Sequence, residues 1–156
     1  MKNMKRHWYV VGHRSGARIF EQVGVKPELK LVHSFDNPSG DRRDNELVSD
    51  RQGRSDPGMT PGHTPVGSDY KPGRHLLTVF AQEIGAFLEK EATRNAYESL
   101  VLVAEPHVLG ELKKAMGHIT SPRLRAPLIK ELAEVSAHDM GAHLKGVLCL
   151  REEIGT

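Results

Sequence analysis

Apolar and polar residues alternate along the first third of this chain, and a helical repeat takes over in the last half. His7–Val11 (HWYVV) is short, aromatic and β-branched, which predicts a strand. Gly12 to Gly16 reads as a turn with glycine at either end to supply positive φ. Ala17–Gln22 alternates as a returning strand, Val23–Pro27 breaks it, and Glu28–Ser34 alternates again with Leu29, Leu31 and His33 on one face. These three form an antiparallel meander. From His75 to Asn95, Leu76, Leu77, Phe80, Ile84, Phe87 and Leu88 recur at three- and four-residue spacing, the apolar stripe of a helix. Ser99–Ala104 (SLVLVA) is almost unbroken in apolar character, as a central strand buried on both faces must be. A helix over His107–Gly117 follows, with Val108, Leu109, Leu112 and Met116 as its stripe and Gly117 as its C-terminal cap. A connector around Pro122 and Pro127 carries Arg123, Arg125 and Lys130. Leu128–Leu132 is then expected as a strand. Ser136 is the N-cap of a last helix reaching about Arg151, with Asp139 in its first turn.

The order β-β-β-α-β-α-β-α, with a right-handed crossover after the meander, gives a mixed sheet in the order 3-2-1-4-5. The predicted fold is a single α/β domain over residues 1–156, a five-stranded ribonuclease H-like sheet with helices on its faces. Residues 37–74 interrupt the pattern. The stretch is polar, charged with both signs, and punctuated by Pro38, Pro57, Pro61, Pro65 and Pro72. Loops longer than ~15 residues are uncommon in compact domains and are usually functional or disordered. The expectation is a long flexible loop between the third strand and the first helix. Within it Asp44–Arg54 is able to form a helical turn that sets Leu47 and Val48 against the body.

Composition narrows the function classes. At 156 residues and a formal charge of +2, the nearly even charge balance does not force nucleic-acid binding, for which a concentrated basic face is the signature. The single cysteine, Cys149, excludes an internal disulfide framework and a cysteine zinc cluster, and fits a reducing compartment. The apolar run Trp8–Val11 is too short for the core of a signal peptide, and nothing approaches the ~18 residues of a membrane span. A soluble, cytoplasmic protein with no membrane partner is predicted.

Several segments together resemble a bacterial family. They are Trp8-Tyr9-Val10-Val11 with Ala17-Arg18-Ile19-Phe20, the loop segment Glu46 to Ser55 containing Ser49-Asp50-Arg51-Gln52-Gly53-Arg54, Phe80-Ala81, and Leu100 to Pro106 with Leu109-Gly110. The family is that of host attachment proteins, proteins required for attachment to host cells. That family is similar in turn to the middle domain of archaeo-eukaryotic peptide-chain release factors. There a Gly-Gly-Gln tripeptide on a mobile loop before the long helix promotes peptidyl-tRNA hydrolysis. Residues 37–74 occupy the corresponding place but hold no Gly-Gly-Gln, and the nearest text is Arg51-Gln52-Gly53. The resemblance therefore implies loop-mediated contact with RNA or the ribosome rather than release catalysis. Peptidyl-tRNA hydrolysis with Gln52 positioning water, and host-cell attachment, stand as alternatives.

Candidate chemistry follows. A ribonuclease H-type nuclease needs carboxylates around two metal ions, one of them on the first strand. His7–Val11 has no acid, and Glu83, Glu105 and Asp139 do not complete a set. The histidines lack ligand spacing: His138 and His143 are five apart rather than the four that share a helix face. No metal, cofactor or catalytic nucleophile is predicted, and Cys149 is expected in an apolar helix stripe. In the loop, Arg42, Arg43, Arg51 and Arg54 suit phosphate oxygens through the planar guanidinium fork. Gly53 allows close backbone approach, and Gln52 is placed to contact RNA. The competing reading pairs Asp50 with Arg42, Arg43 or Arg54 to order the loop root. A further anion site is possible in principle at Arg14, in its glycine-flanked turn, and at Glu105 and His107, where a strand end meets a helix N-terminus. Against it, the turn is an ordinary hairpin and Glu105 a first-turn acid answering the helix dipole.

Overall fold

The computed structural model describes residues 4–37 and 72–149, with side chains from residue 76 in the second span. Strand β1 (Arg6–His13) pairs antiparallel with β2 (Gly16–Val23), which pairs antiparallel with β3 (Lys30–Asp36). Helix α1 (Pro72–Thr93) leads into β4 (Ser99–Ala104), parallel to β1, with Val11 beside Val103. Helix α2 (Pro106–Lys114) and a single 3-10 turn at Ser121–Arg123 lead to β5 (Leu128–Ile129), parallel to β4, and then to α3 (Ala137–His143). The strand order is β3-β2-β1-β4-β5, the mixed five-stranded sheet expected of the ribonuclease H-like architecture.

Strand pleating divides the core in two. Trp8, Val10, Ala17, Ile19, Leu100, Leu102 and Ala104 point to one face, where Leu77, Phe80, Ile84 and Leu88 of α1 and Val108 and Leu112 of α2 cover them. Tyr9, Val11, Phe20, Val101 and Val103 point to the other, under Leu132, Met140 and Leu144. β1 and β4 are buried on both faces, which is why their sequences carry apolar runs rather than alternation. The helices α1 and α2 approach closely at Gly85, where an added Cβ would fall 3.0 Å from both the carbonyl carbon and the Cβ of Ala115.

Several expectations are corrected. The β1–β2 connection is only Arg14–Ser15, and neither flanking glycine has positive φ. Among the described residues that conformation belongs to Gly24 and Asn95. Gly16 is needed instead for space, since a Cβ there would meet the Phe35 carbonyl oxygen at 2.7 Å. Leu31 and His33 do not share a face. The β2–β3 register shifts between Ile19 and Phe20, so Leu31 lies opposite Phe20 and His33 opposite Ile19, on the other side of the sheet. Helix α2 ends at Lys114 and is capped by Ala115 rather than Gly117. Gly117 leaves room for the Glu89 carboxylate, which would lie 2.5 Å from a Cβ there. That carboxylate accepts hydrogen bonds from Ile119 N (3.0 Å), Thr120 N (3.0 Å) and Thr120 Oγ1 (2.9 Å). β5 spans two residues, not five, and Leu132 turns inward instead of extending it. Ser136 does cap α3, its Oγ accepting from Asp139 N at 3.2 Å, but the helix stops at His143. Cys149 is therefore not on a helix.

Candidate functional site

Topology gathers one edge of the sheet from separate parts of the sequence. β1 and β4 are parallel, so their C-terminal ends share an edge. The Arg14–Ser15 turn and the N-terminus of α2 lie there. So does the end of β3, because Asp36 pairs with Gly16 and Asn37 donates from its backbone to Ser15 O (2.9 Å) and from Nδ2 to Arg14 O (2.8 Å). The first turns of α1 return to the same region: Thr78 Oγ1 donates to Glu111 Oε1 on α2 at 3.0 Å. Hence the described chain leaves at Asn37 and resumes at Pro72 on one edge.

At this edge Arg14 and His107 are exposed. Arg14 makes no ion pair among the described residues, and it meets Asn37 through its carbonyl oxygen rather than its guanidinium. Glu105 is occupied. Its Oε1 accepts from Val108 N at 2.8 Å, making it the N-cap of α2, with Pro106 in the first position. The carboxylate thus answers the helix N-terminus itself, the use weighed against a ligand role in the sequence. Arg42, Arg43, Asp50, Arg51, Gln52, Gly53 and Arg54, and the helical turn at 44–54, lie outside the described residues. Among the described residues no three of His, Cys, Asp and Glu converge as a metal site, and no helix is long and apolar enough to cross a membrane.

The two arginines of the basic connector turn inward, and Lys130 is exposed. Arg123 donates to Tyr97 O (2.6 Å) and Asn95 Oδ1 (3.2 Å), with its guanidinium over the Tyr97 ring. It holds the turn whose Asn95 sits at φ 58°. Arg125 donates from Nη1 to Val147 O (3.0 Å) and from Nη2 to the Tyr9 hydroxyl (3.0 Å). Tyr9 in turn donates to Gln22 Oε1 at 2.7 Å. Burial pushes the Tyr9 phenol up to about 12, with the Arg125 cation opposing and the Cys149 thiol reinforcing the rise. This Tyr9–Gln22–Arg125 cluster was not legible as a unit. A glutamine on an inward register position of β2 was the one available sign; Tyr9 lies 13 residues from it, but Cys149, which it also bonds, is 127 residues away, and Arg125 is 116 residues from Tyr9.

The architecture defines an α/β domain with a ribonuclease H-like sheet, one end of which collects two helix N-termini and one hairpin turn. The chain belongs to the host attachment family, described as protein required for attachment to host cells, whose family model matches residues 8–144. No curated protein matches it. Among solved structures it is similar to an archaeal translation termination factor, at 8% identity and a TM-score of 0.47, over 90% of this chain and 38% of that one. A second match, described as an archaeal protein, has 9% identity and a TM-score of 0.45, over 90% of this chain and 37% of the other. The chain spans less than two-fifths of the length of either.

Proposed function

We propose that this protein is a non-enzymatic, cytoplasmic RNA- or ribosome-associated protein that meets RNA phosphates through Arg42, Arg43, Arg51 and Arg54. In this reading Gln52 contacts the RNA, Gly53 permits close approach of the RNA backbone, and Asp50 belongs to the same contacting stretch. The observation that carries the reading is the shared sheet edge. Asn37, next to residues 38–71 in sequence, bonds the carbonyl oxygen of Arg14, an exposed cation with no acidic partner among the described residues, and the helix that begins at Pro72 reaches through Thr78 to α2, the helix that carries the exposed His107. In this reading the arginines of residues 38–71 and Arg14 act together on RNA.

Neutralising phosphates releases counterions, so affinity falls with salt, with a slope of about −0.7 per phosphate on single strands. Five arginines, including Arg14, give a slope of about −3.5, or roughly a hundredfold loss between 50 and 200 mM salt. Fluorescence anisotropy with a labelled single-stranded RNA should show this, and Arg51→Ala with Arg54→Ala should reduce the slope by about 1.4. Affinity unchanged by the double substitution rules out this segment as the contact. Co-sedimentation of a tagged protein with ribosomes at two salt concentrations then separates ribosome association from contact with free RNA.

A second reading, attachment to host cells, is favoured by the family match over residues 8–144. Cell fractionation decides between them: a surface pool supports a direct role in attachment, and a ribosomal pool supports the RNA reading.

A further inference from the structure

A run of aromatic rings leads from the core to the surface between β3 and α1. Tyr97 stacks on Trp8 with 4.8 Å between centroids, Trp8 lies 6.3 Å from Phe87 with the planes 16° apart, and Phe87 stacks on His33 at 4.3 Å and 17°. Tyr97 and Trp8 are buried, Phe87 is half-buried and His33 is exposed. Phe35 meets the His33 ring at 4.7 Å and 66°. Two phenyl rings therefore fix the imidazole against the body, and neither of its nitrogens makes a hydrogen bond among the described residues. One face of the ring is spent on Phe87 and the rest is open to solvent. An aromatic ring already ordered by its neighbours accepts a second flat ring at little further cost in side-chain entropy.

The charges around His33 favour an anionic partner. His33 lies beside Ile19, and Lys30 beside Glu21, which in turn lies beside Trp8, so His33 and Lys30 share the face of the sheet that carries Trp8 and Ile19. Asp36, the one acid of β3, lies beside Gly16, one position on from the Ala17–Phe35 pair, and points to the other face. Lys30 is exposed and makes no ion pair among the described residues. Arg14 stands at the opposite end of β3, where Asn37 bonds its carbonyl oxygen. Four residues of extended strand separate His33 from Asn37, about 13 Å, so one oligonucleotide spans both. On the adjoining turns of α1, Glu89 is taken up by Ile119 and Thr120 and Glu91 by Arg94, which leaves the exposed Glu83 as the carboxylate that opposes an anion there.

We propose that His33 is a stacking site for an unpaired base of single-stranded RNA, with Lys30 and Arg14 meeting phosphates on either side of it. The inference rests on the RNA reading above and adds a contact which that reading lacks. Arginines on phosphates do not distinguish a strand with bases from a bare sugar–phosphate chain, whereas a ring that takes a base does. Bases within a duplex are covered on both faces by their neighbours, so the site selects single strands.

The experiment is fluorescence anisotropy of the full chain with a labelled oligoadenylate and with an abasic oligoribonucleotide of the same length. Loss of a stacking ring should weaken binding about tenfold, so His33→Ala is expected to show that loss on oligoadenylate. Its salt dependence should match the wild type, because no phosphate contact is removed. His33→Phe keeps a ring and should restore most of the affinity, and the abasic strand should bind the wild type and His33→Ala alike. Equal binding of oligoadenylate by the wild type and His33→Ala overturns the stacking site; the RNA reading survives that result where Arg51→Ala with Arg54→Ala still lowers the salt slope. An equal loss on the abasic strand, or in His33→Phe, overturns the site too, as does a lower salt slope in His33→Ala. No binding of either strand by the wild type overturns this proposal together with the RNA reading. Self-association of the protein that His33→Ala abolishes marks the rings as an interface between copies and refutes the base site.

Discussion

Gly85→Ala tests the helix–helix contact that seats α1 and α2 on the sheet. The new methyl carbon would lie 3.0 Å from the Ala115 carbonyl carbon and 3.0 Å from its Cβ, and closer still to its carbonyl oxygen. Carbon atoms pack comfortably at about 3.5–4.0 Å, so the helices must separate by roughly 0.5–1 Å. Ala115 offers no flexible end to move, because the atoms met are backbone and a Cβ. Overpacking of this kind costs about 1–3 kcal/mol. Replacing glycine by alanine inside a helix returns up to about 1 kcal/mol of backbone propensity, so a net loss of up to about 2 kcal/mol is expected. Gly110, on α2, is the control: nothing lies within 4 Å of where a methyl group would stand, so Gly110→Ala keeps the propensity gain without the clash. With a urea dependence of about 2 kcal/mol/M, Gly85→Ala should lower the unfolding midpoint by up to about 1 M. Gly110→Ala should raise it by a few tenths of a molar on the same scale, roughly 0.3–0.5 M. Equilibrium urea unfolding followed by far-UV circular dichroism reads both. A midpoint that rises in both variants would refute the close approach of α1 and α2.

Three further outcomes follow from the polar contacts. Tyr9→Phe removes the hydroxyl that donates to Gln22 and accepts from Arg125, leaving buried groups unpaired, and should lower stability by about 1–3 kcal/mol in urea unfolding. Because burial raises the Tyr9 phenol to about 12 from the ordinary 10.0, its stabilising contribution is complete below pH 10 and is lost as pH rises towards 12. Thermal unfolding from pH 9 to 12 should therefore fall more steeply in the wild type than in Tyr9→Phe. Glu89 is held below the usual carboxylate range, first by the hydrogen bond from the Ile119 backbone and also by those from Thr120. Its contribution is present above the ordinary carboxylate pKa of 4.5 and disappears as pH falls through the lower folded value. Glu89→Gln should thus be less stable than the wild type at pH 7, with the two melting temperatures converging in strong acid; parallel curves would count against the carboxylate as the anchor of residues 117–120.

The pattern of apolar residues was enough for the architecture. β1 and β4 must be central because Tyr9–Val11 and Leu100–Ala104 bury both faces, and the repeat Leu77, Phe80, Ile84, Leu88 leaves α1 one side to bury. Those constraints are local and periodic, so they survive in one dimension. Local chemistry also placed the Ser136 cap and offered Glu105 as a helix-dipole acid, since each cap spans only three residues. What depended on distant chain was decided by packing alone. The register shift beside Ile19 sends Leu31 and His33 to opposite faces, and no spacing within β3 encodes a shift that exists only against β2. Gly117 looked like a helix cap but makes room for Glu89, from another helix. Arg123 and Arg125 read only as members of a basic connector, and it is the fold that turns them inward to bind backbone oxygens. Cys149 read as part of a helix because Val147 and Leu148 continue the apolar pattern. The amide of Gln22 instead binds its backbone outside any helix, in a bond between residues 127 apart that only the folded chain brings together.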